Sequence, residues 1–148
     1  MNRSASQWQE QAARRLRASG NRQGAARRAV VELLSRQDCC LSALEVFDAL
    51  RAEGRPVGLA SVYRVLDLLT ENGLVQRIEL GAGTARFERV LAGGDHHHHL
   101  VCDDCGKVEA FEDSELERAL VDLETRSGYS VAAHDVVLRG ACSDCRAG

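Results

Sequence analysis

The chain has 148 residues, a net charge of −3, six cysteines and one proline. That length holds one ordinary domain or two small ones, and a small domain needs a metal, a disulfide or a partner subunit to supplement a thin core. Charge is uneven: residues 1–90 carry 14 Arg against 10 acidic residues, and residues 91–148 carry 5 basic against 12 acidic, so polyanion contact belongs to the front half. No signal-peptide pattern and no run of about 18 apolar residues is present, which points to a cytoplasmic protein without a membrane partner. In that reducing compartment the cysteines are metal ligands or thiols rather than disulfides.

Apolar spacing predicts a first helix from Ser4 or Ser6 to just before Gly20, with Trp8, Ala12 and Leu16 on one face. A second helix over about Ala25 to Ser35 carries Val30, Val31, Leu33 and Leu34. Ser42-x-x-Glu45 reads as a capping box that opens a third helix burying Val46, Phe47 and Leu50. Pro56 and Gly58 break the chain, and a fourth helix follows from Ala60 to Asn72 with Val62, Val65, Leu68 and Leu69 inward and Gly73 as its stop. Leu74 to Leu80 and Thr84 to Val90, joined by Gly81-Ala82-Gly83, form a hairpin. Helices followed by a hairpin are the order of a winged helix.

Residues 91–95, Leu-Ala-Gly-Gly-Asp, read as a hinge between residues 1–90 and 96–148. Beyond it strands are expected at His97 to Cys102, Lys107 to Phe111 and Tyr129 to Leu138, with a helix from Ser114 to Arg126 capped by Asp113 or Ser114 and ended by Gly128. The fold class is therefore α+β, an N-terminal winged helix-turn-helix plus a C-terminal α/β domain.

Cys102-x-x-Cys105 and Cys142-x-x-Cys145 are two matching knuckles. Each supplies two thiolates from one bend, and together they complete a closed tetrahedral site, the arrangement of structural Zn2+. A thioredoxin-type redox pair fits less well, because such pairs come singly at the start of a helix. The zinc deaminase signature, His-x-Glu followed by Pro-Cys-x-x-Cys, is absent, since the sole proline is Pro56; the chain is expected to be a binding protein and not an enzyme.

His96-His97-His98-His99 precede a strand. Alternation in extended chain sends His97 and His99 to one side and His96 and His98 to the other, giving two half-sites for divalent metal. The remaining ligands come from elsewhere. His134, Glu117, Glu88 and Cys40 are the available partners, and spacing alone does not assign them; Glu117 reads equally as a surface acid and His134 as a surface histidine.

These residues resemble the ferric uptake regulator superfamily of metal-dependent repressors. The likeness spans Arg22 to Cys145 and is carried by Val57-Gly58-Leu59-Ala60-Ser61-Val62-Tyr63-Arg64-Val65-Leu66, by His96 to Val108, and by Cys142-Ser-Asp-Cys145. The resemblance implies structural zinc on the four cysteines. It implies a regulatory site at the hinge on Cys40, Glu88, His97 and His99, and a further site on His96, His98, Glu117 and His134. It places Ser61, Tyr63 and Arg64 on a helix in the DNA major groove and Arg22 in the minor groove, and matches Arg27 to a basic DNA-binding position at the start of the second helix.

Cys40 departs from the histidine of many relatives. A thiolate there favours zinc, whereas Glu88 suits iron or manganese, so Fe2+ or Zn2+, with Mn2+ as a third option, is the implied regulatory ion. Cys40 also reads as a lost ligand or an oxidisable thiol, and Cys39 as core. The implied function is a homodimeric repressor that grips operator DNA when metal is bound and controls iron or zinc homeostasis genes. The alternatives are a peroxide-sensing regulator of the same family, or a cytosolic metal buffer, which has no reason to carry the Gly58 to Leu66 signature.

Overall fold

The computed structural model describes residues 3–20, 24–81, 83–91 and 97–147, so Arg22, His96 and most of the 91–95 hinge lie outside the described residues. The chain divides into two compact units, Met1–Asp95 and His96–Gly148.

The first unit is built from helices α1 (Arg3–Ala18), α2 (Ala25–Ser35), α3 (Ala43–Ala52) and α4 (Leu59–Glu71) around strands β1 (Leu41–Ser42), β2 (Val75–Glu79) and β3 (Ala85–Arg89). The helix periodicity is realised in one apolar core that runs from Trp8, Ala12 and Leu16 through Val30, Leu34, Val46 and Leu50 to Phe87. In α4 the buried stripe is Val62, Val65, Leu66 and Leu69, the i, i+3, i+4, i+7 set; Leu68, expected inward, is only half-buried beside that stripe, and so is Phe47 on α3. The capping box at α3 is complete: Glu45 N–H donates to Ser42 Oγ at 3.1 Å and Ser42 N–H to Glu45 Oε2 at 2.9 Å.

The wing is a three-stranded antiparallel sheet in the order β1-β3-β2. Gly81 and Gly83, at φ +92° and +70°, take the left-handed backbone that the turn between β2 and β3 requires. The third strand, β1, was not expected. It pairs Leu41 with Phe87 and Ser42 with Arg86, and this register is what positions Cys40.

Trp8 ties α1 to the wing. It is buried, its indole N–H donates to the Leu74 carbonyl at 3.0 Å, and the Arg89 guanidinium lies 5.8 Å from the ring centroid. Replacing Trp8 with Ala leaves a large void and removes one of the two hydrogen bonds to the Leu74 carbonyl, which keeps the Val90 amide, and is expected to cost about 3–5 kcal/mol. Trp8→Phe keeps most of the packing and is expected to cost clearly less. Urea unfolding followed by circular dichroism checks this, since Trp8 is the single tryptophan and its removal ends the fluorescence signal.

The second unit holds strands β4 (His98–Cys102), β5 (Val108–Phe111) and β6 (Val137–Gly140), with helices α5 (Ser114–Ser127) and α6 (Ser143–Arg146). The sheet order is β5-β4-β6, with β5 antiparallel and β6 parallel to β4. Asp113 caps α5 by accepting from the Glu115 and Leu116 amides, and Gly128 closes it at φ +74°. The last strand is shorter than the expected Tyr129 to Leu138, because two amides ahead of it are bonded to side chains: Val131 N–H donates to Glu124 and Val136 N–H to His98. Among its described residues only His98, His99 and Cys102 are buried, and none of them is an aliphatic core residue. Leu100, Val121, Leu123, Tyr129, Val131 and Leu138 are exposed. No helix among the described residues is long and apolar enough to cross a membrane.

Candidate metal centres and nucleic-acid face

The four cysteines of the second unit converge, their sulfurs all within 4.8 Å of one another. The first knuckle turns at Cys102 to Gly106: Gly106 N–H donates to the Cys102 carbonyl at 2.9 Å, and Gly106 sits at φ +75° where a side chain would be strained. The second knuckle is drawn to it by the pairing of β6 with β4, which sets Cys102 opposite Gly140. Cys142 N–H then donates to Cys102 Sγ at 3.3 Å.

Amide donors from Cys105 and Cys142 hold the Cys102 thiol down to about 6, whereas hydrogen bonds with the Cys142, Cys102 and Cys105 sulfurs push Cys145 up to about 12. The cluster thus contains one ready thiolate and at least one thiol that needs a cation to displace its proton. Cys105 and Cys142 sulfurs stand 3.8 Å apart. Two thiolates about 2.3 Å from one ion at the tetrahedral angle stand about 3.8 Å apart, so this pair already has the spacing that Zn2+ requires.

A second cluster in this unit joins His98, Glu117 and His134. His98 Nε2 lies 2.5 Å from Glu117 Oε1, and His134 Nε2 lies 3.0 Å from Glu117 Oε2. The Val136 amide donates to His98 Nδ1 at 3.2 Å, which puts the ring proton on Nε2, facing the carboxylate. A cation bound at Nε2 has to displace that proton. On the opposite side of the segment, the rings of His97 and His99 stand edge to face with centroids 5.0 Å apart. His96, assigned with His98, is outside the described residues.

In the first unit, the β1–β3 register carries on from Leu41 opposite Phe87 to bring Cys40 beside Glu88. Gln76, directly across β2 from Glu88, donates its amide to Glu88 Oε1 at 2.5 Å and orients the carboxylate. Cys39, read from sequence as core, is half-exposed instead, and its sulfur lies 3.8 Å from that of Cys40. The ligand atoms of Cys39, Cys40 and Glu88 lie within 4.8 Å of one another. The hydrogen bond with Cys39 and then burial push the Cys40 thiol upward. Cys39 is the residue that sequence reasoning passed over; its signal was adjacency to a candidate ligand at the edge of a strand too short to recognise.

The DNA candidates sit on α4 and α2. Tyr63 is exposed on α4, and Arg64 Nη2 donates to Ser61 Oγ at 2.9 Å, one turn back. Ser61 and Arg64 line an open cleft of about 250 Å³ with Gly24, Ala26 and Arg27. Arg27 itself is buried, at 6 % exposure, so it offers little surface to that cleft. Arg22 is outside the described residues.

Residues 18–139 match the Ferric uptake regulator family. The chain is 41 % identical over 108 residues to the ferric uptake regulation protein of Bordetella parapertussis, covering 73 % of this chain and 76 % of that one. It is 36 % identical over 130 residues to the zinc uptake regulation protein of Mycobacterium tuberculosis, covering 87 % and 98 %. The ferric uptake regulator of Helicobacter pylori, described as having three functional metal binding sites, superposes with a TM-score of 0.83 at 26 % identity, covering 99 % of this chain and 97 % of that one.

Proposed function

This chain belongs to the ferric uptake regulator family of metal-responsive transcriptional regulators, and from that premise we propose that it is a cytoplasmic homodimeric repressor whose grip on operator DNA depends on a regulatory metal. Residues 1–90 read the DNA, 91–95 act as hinge, and 96–148 bind metal and dimerise.

The observation that carries this reading is that metal donors are built into the wing itself. Cys40 and Glu88 lie at the β1–β3 pairing, and β2 of the same sheet follows directly from α4, the helix bearing Ser61, Tyr63 and Arg64. Whatever fixes Cys40 and Glu88 therefore acts on the element that reads DNA. In this account they share an ion with His97 and His99 of the other unit, and holding all four ligands selects one setting of the hinge. Fe2+ or Zn2+, and Mn2+ after them, suit the donor set. A bound cation supplies the positive charge and the cross-link; the residues supply selectivity and placement.

Cys102, Cys105, Cys142 and Cys145 hold structural Zn2+, and His98, Glu117 and His134, with His96, form the second metal site. The exposed apolar residues of the second unit support dimerisation. Val121, Leu123, Tyr129, Val131 and Leu138 are exposed in a unit with little core of its own, and a partner subunit gives such side chains something to pack against. Two subunits then present two α4 helices to successive major grooves. Arg64 and Tyr63 reach base edges or phosphate, with Arg22 and Arg27 on the flanks.

The test is fluorescence anisotropy with an operator fragment selected from random DNA, using stripped protein and protein loaded with zinc, iron(II) or manganese. Loaded protein is expected to bind far more tightly, with affinity falling steeply as salt rises. Arg64→Ala is expected to lower the log–log salt slope by about 1 if the residue contacts phosphate. Equal binding by stripped and loaded protein overturns the proposal.

A further inference from the structure

The geometry points to Cys39 as a ligand beside Cys40 and Glu88, making a dithiolate-carboxylate site for a thiophilic divalent cation of the zinc class within the first unit. This rests on the reading above only in taking Cys40 and Glu88 as ligands; Cys39 is added by the structure, and as a third donor from this unit it leaves a tetrahedral ion one position for a histidine rather than two.

Three observations carry it. The two sulfurs are 3.8 Å apart, the same separation as Cys105 and Cys142 in the four-cysteine cluster and the edge length expected for two thiolates on one tetrahedral ion. Glu88 is brought to the pair by strand register, with its ligand atom within 4.8 Å of both sulfurs. The Gln76 amide donates to Glu88 Oε1 and fixes the direction of the carboxylate. Adjacent residues in extended chain ordinarily point to opposite faces. Here both sulfurs lie on one side, so the backbone just before β1 is shaped to present them together.

The chemical consequence is selectivity. Binding releases the thiol protons to solvent, and two thiolates with one carboxylate form a softer and more anionic donor set than imidazole and carboxylate, favouring Zn2+ over Mn2+ and Fe2+ beyond the general affinity order. Cys39 thereby sets which ion the regulator answers to.

The experiment uses the full chain with zinc retained in the four-cysteine cluster and Co2+ titrated as the probe. Thiolate-to-cobalt charge transfer is expected in the ultraviolet, reduced to about half in Cys39→Ser and in Cys40→Ser and abolished in the double variant. Competition between Zn2+ and Mn2+ is expected to show the zinc preference falling at least tenfold in Cys39→Ser. Each variant is checked for its retained cluster zinc and for an unchanged urea-unfolding transition, which show that the second and the first unit respectively are intact. An undiminished charge-transfer band in Cys39→Ser, or an unchanged zinc preference, overturns the inference. Operator binding that ignores metal overturns the regulatory reading instead, and leaves the cobalt band to decide this one.

Discussion

Replacing Cys142 with serine is expected to release the cluster zinc, abolish the cooperative unfolding of the second unit and convert the proposed dimer to monomer in sedimentation. The effect is large because this unit has almost nothing else to hold it. Its described residues include no buried aliphatic side chain, α5 has no buried residue, and Val121, Leu123, Tyr129 and Leu138 are exposed. A unit of this size cannot rely on a core. Cys142 is also the point where the chain end returns to β4, through its sulfur beside Cys105 and its amide on Cys102 Sγ. The serine variant keeps that amide and loses the sulfur, so what it removes is one of the four zinc ligands. Retained stoichiometric zinc and an unchanged melting transition in Cys142→Ser would remove the structural role proposed for the cluster.

Acid is expected to reproduce this loss in the unmodified chain. The Cys102 thiol is depressed in the fold, so the stability it contributes is fully present above its ordinary thiol value and is lost as pH falls through about 6. Cys145, raised to about 12, binds as thiolate only by giving up its proton to the cation, so its ligation weakens with every fall in pH. Zinc release, followed with a chromogenic chelator, is therefore expected to steepen below about pH 6.

The elements with the strongest local signals were legible before any coordinates. Ser42 and Glu45 announce the start of α3, the glycines at 81 and 83 announce the turn, and paired Cys-x-x-Cys turns need only proximity to become a cluster. The pieces that escaped are those decided at a distance. Leu41–Ser42 is too short to show an alternation of period two, and its partner Phe87 lies far along the chain. With β1 unseen, the register that sets Cys40 beside Glu88 was unseen too, and Cys39 looked like core. The overlong last strand has a similar origin: β-branched residues from Tyr129 onward suggest a ladder, but the amides of Val131 and Val136 are taken by Glu124 and His98. Side-chain demands of a polar site overrode local propensity.

The largest regulatory effect is expected from a pair of variants taken one from each unit, His99→Ala and Glu88→Gln. In the unmodified protein, metal is expected to raise operator affinity by up to about 100-fold, which lies within the usual range of coupling between sites. Either substitution is expected to reduce this to less than about 3-fold, a loss of about 2 kcal/mol of coupling or more. The informative quantity is the double variant. Ligands of one ion act as a unit, so once either is gone the second substitution has little left to remove, and the combined loss should match a single loss rather than their sum. Glu88→Gln keeps the shape of the side chain beside Gln76, so an unchanged melting temperature separates lost ligation from lost folding. Coupling is reciprocal, so operator DNA should tighten metal binding in the unmodified chain by the factor that metal tightens DNA binding, and in neither variant. Additive losses, or DNA binding that still responds fully to metal in His99→Ala, would show that the donors on the wing and the histidines of the other unit do not serve one ion.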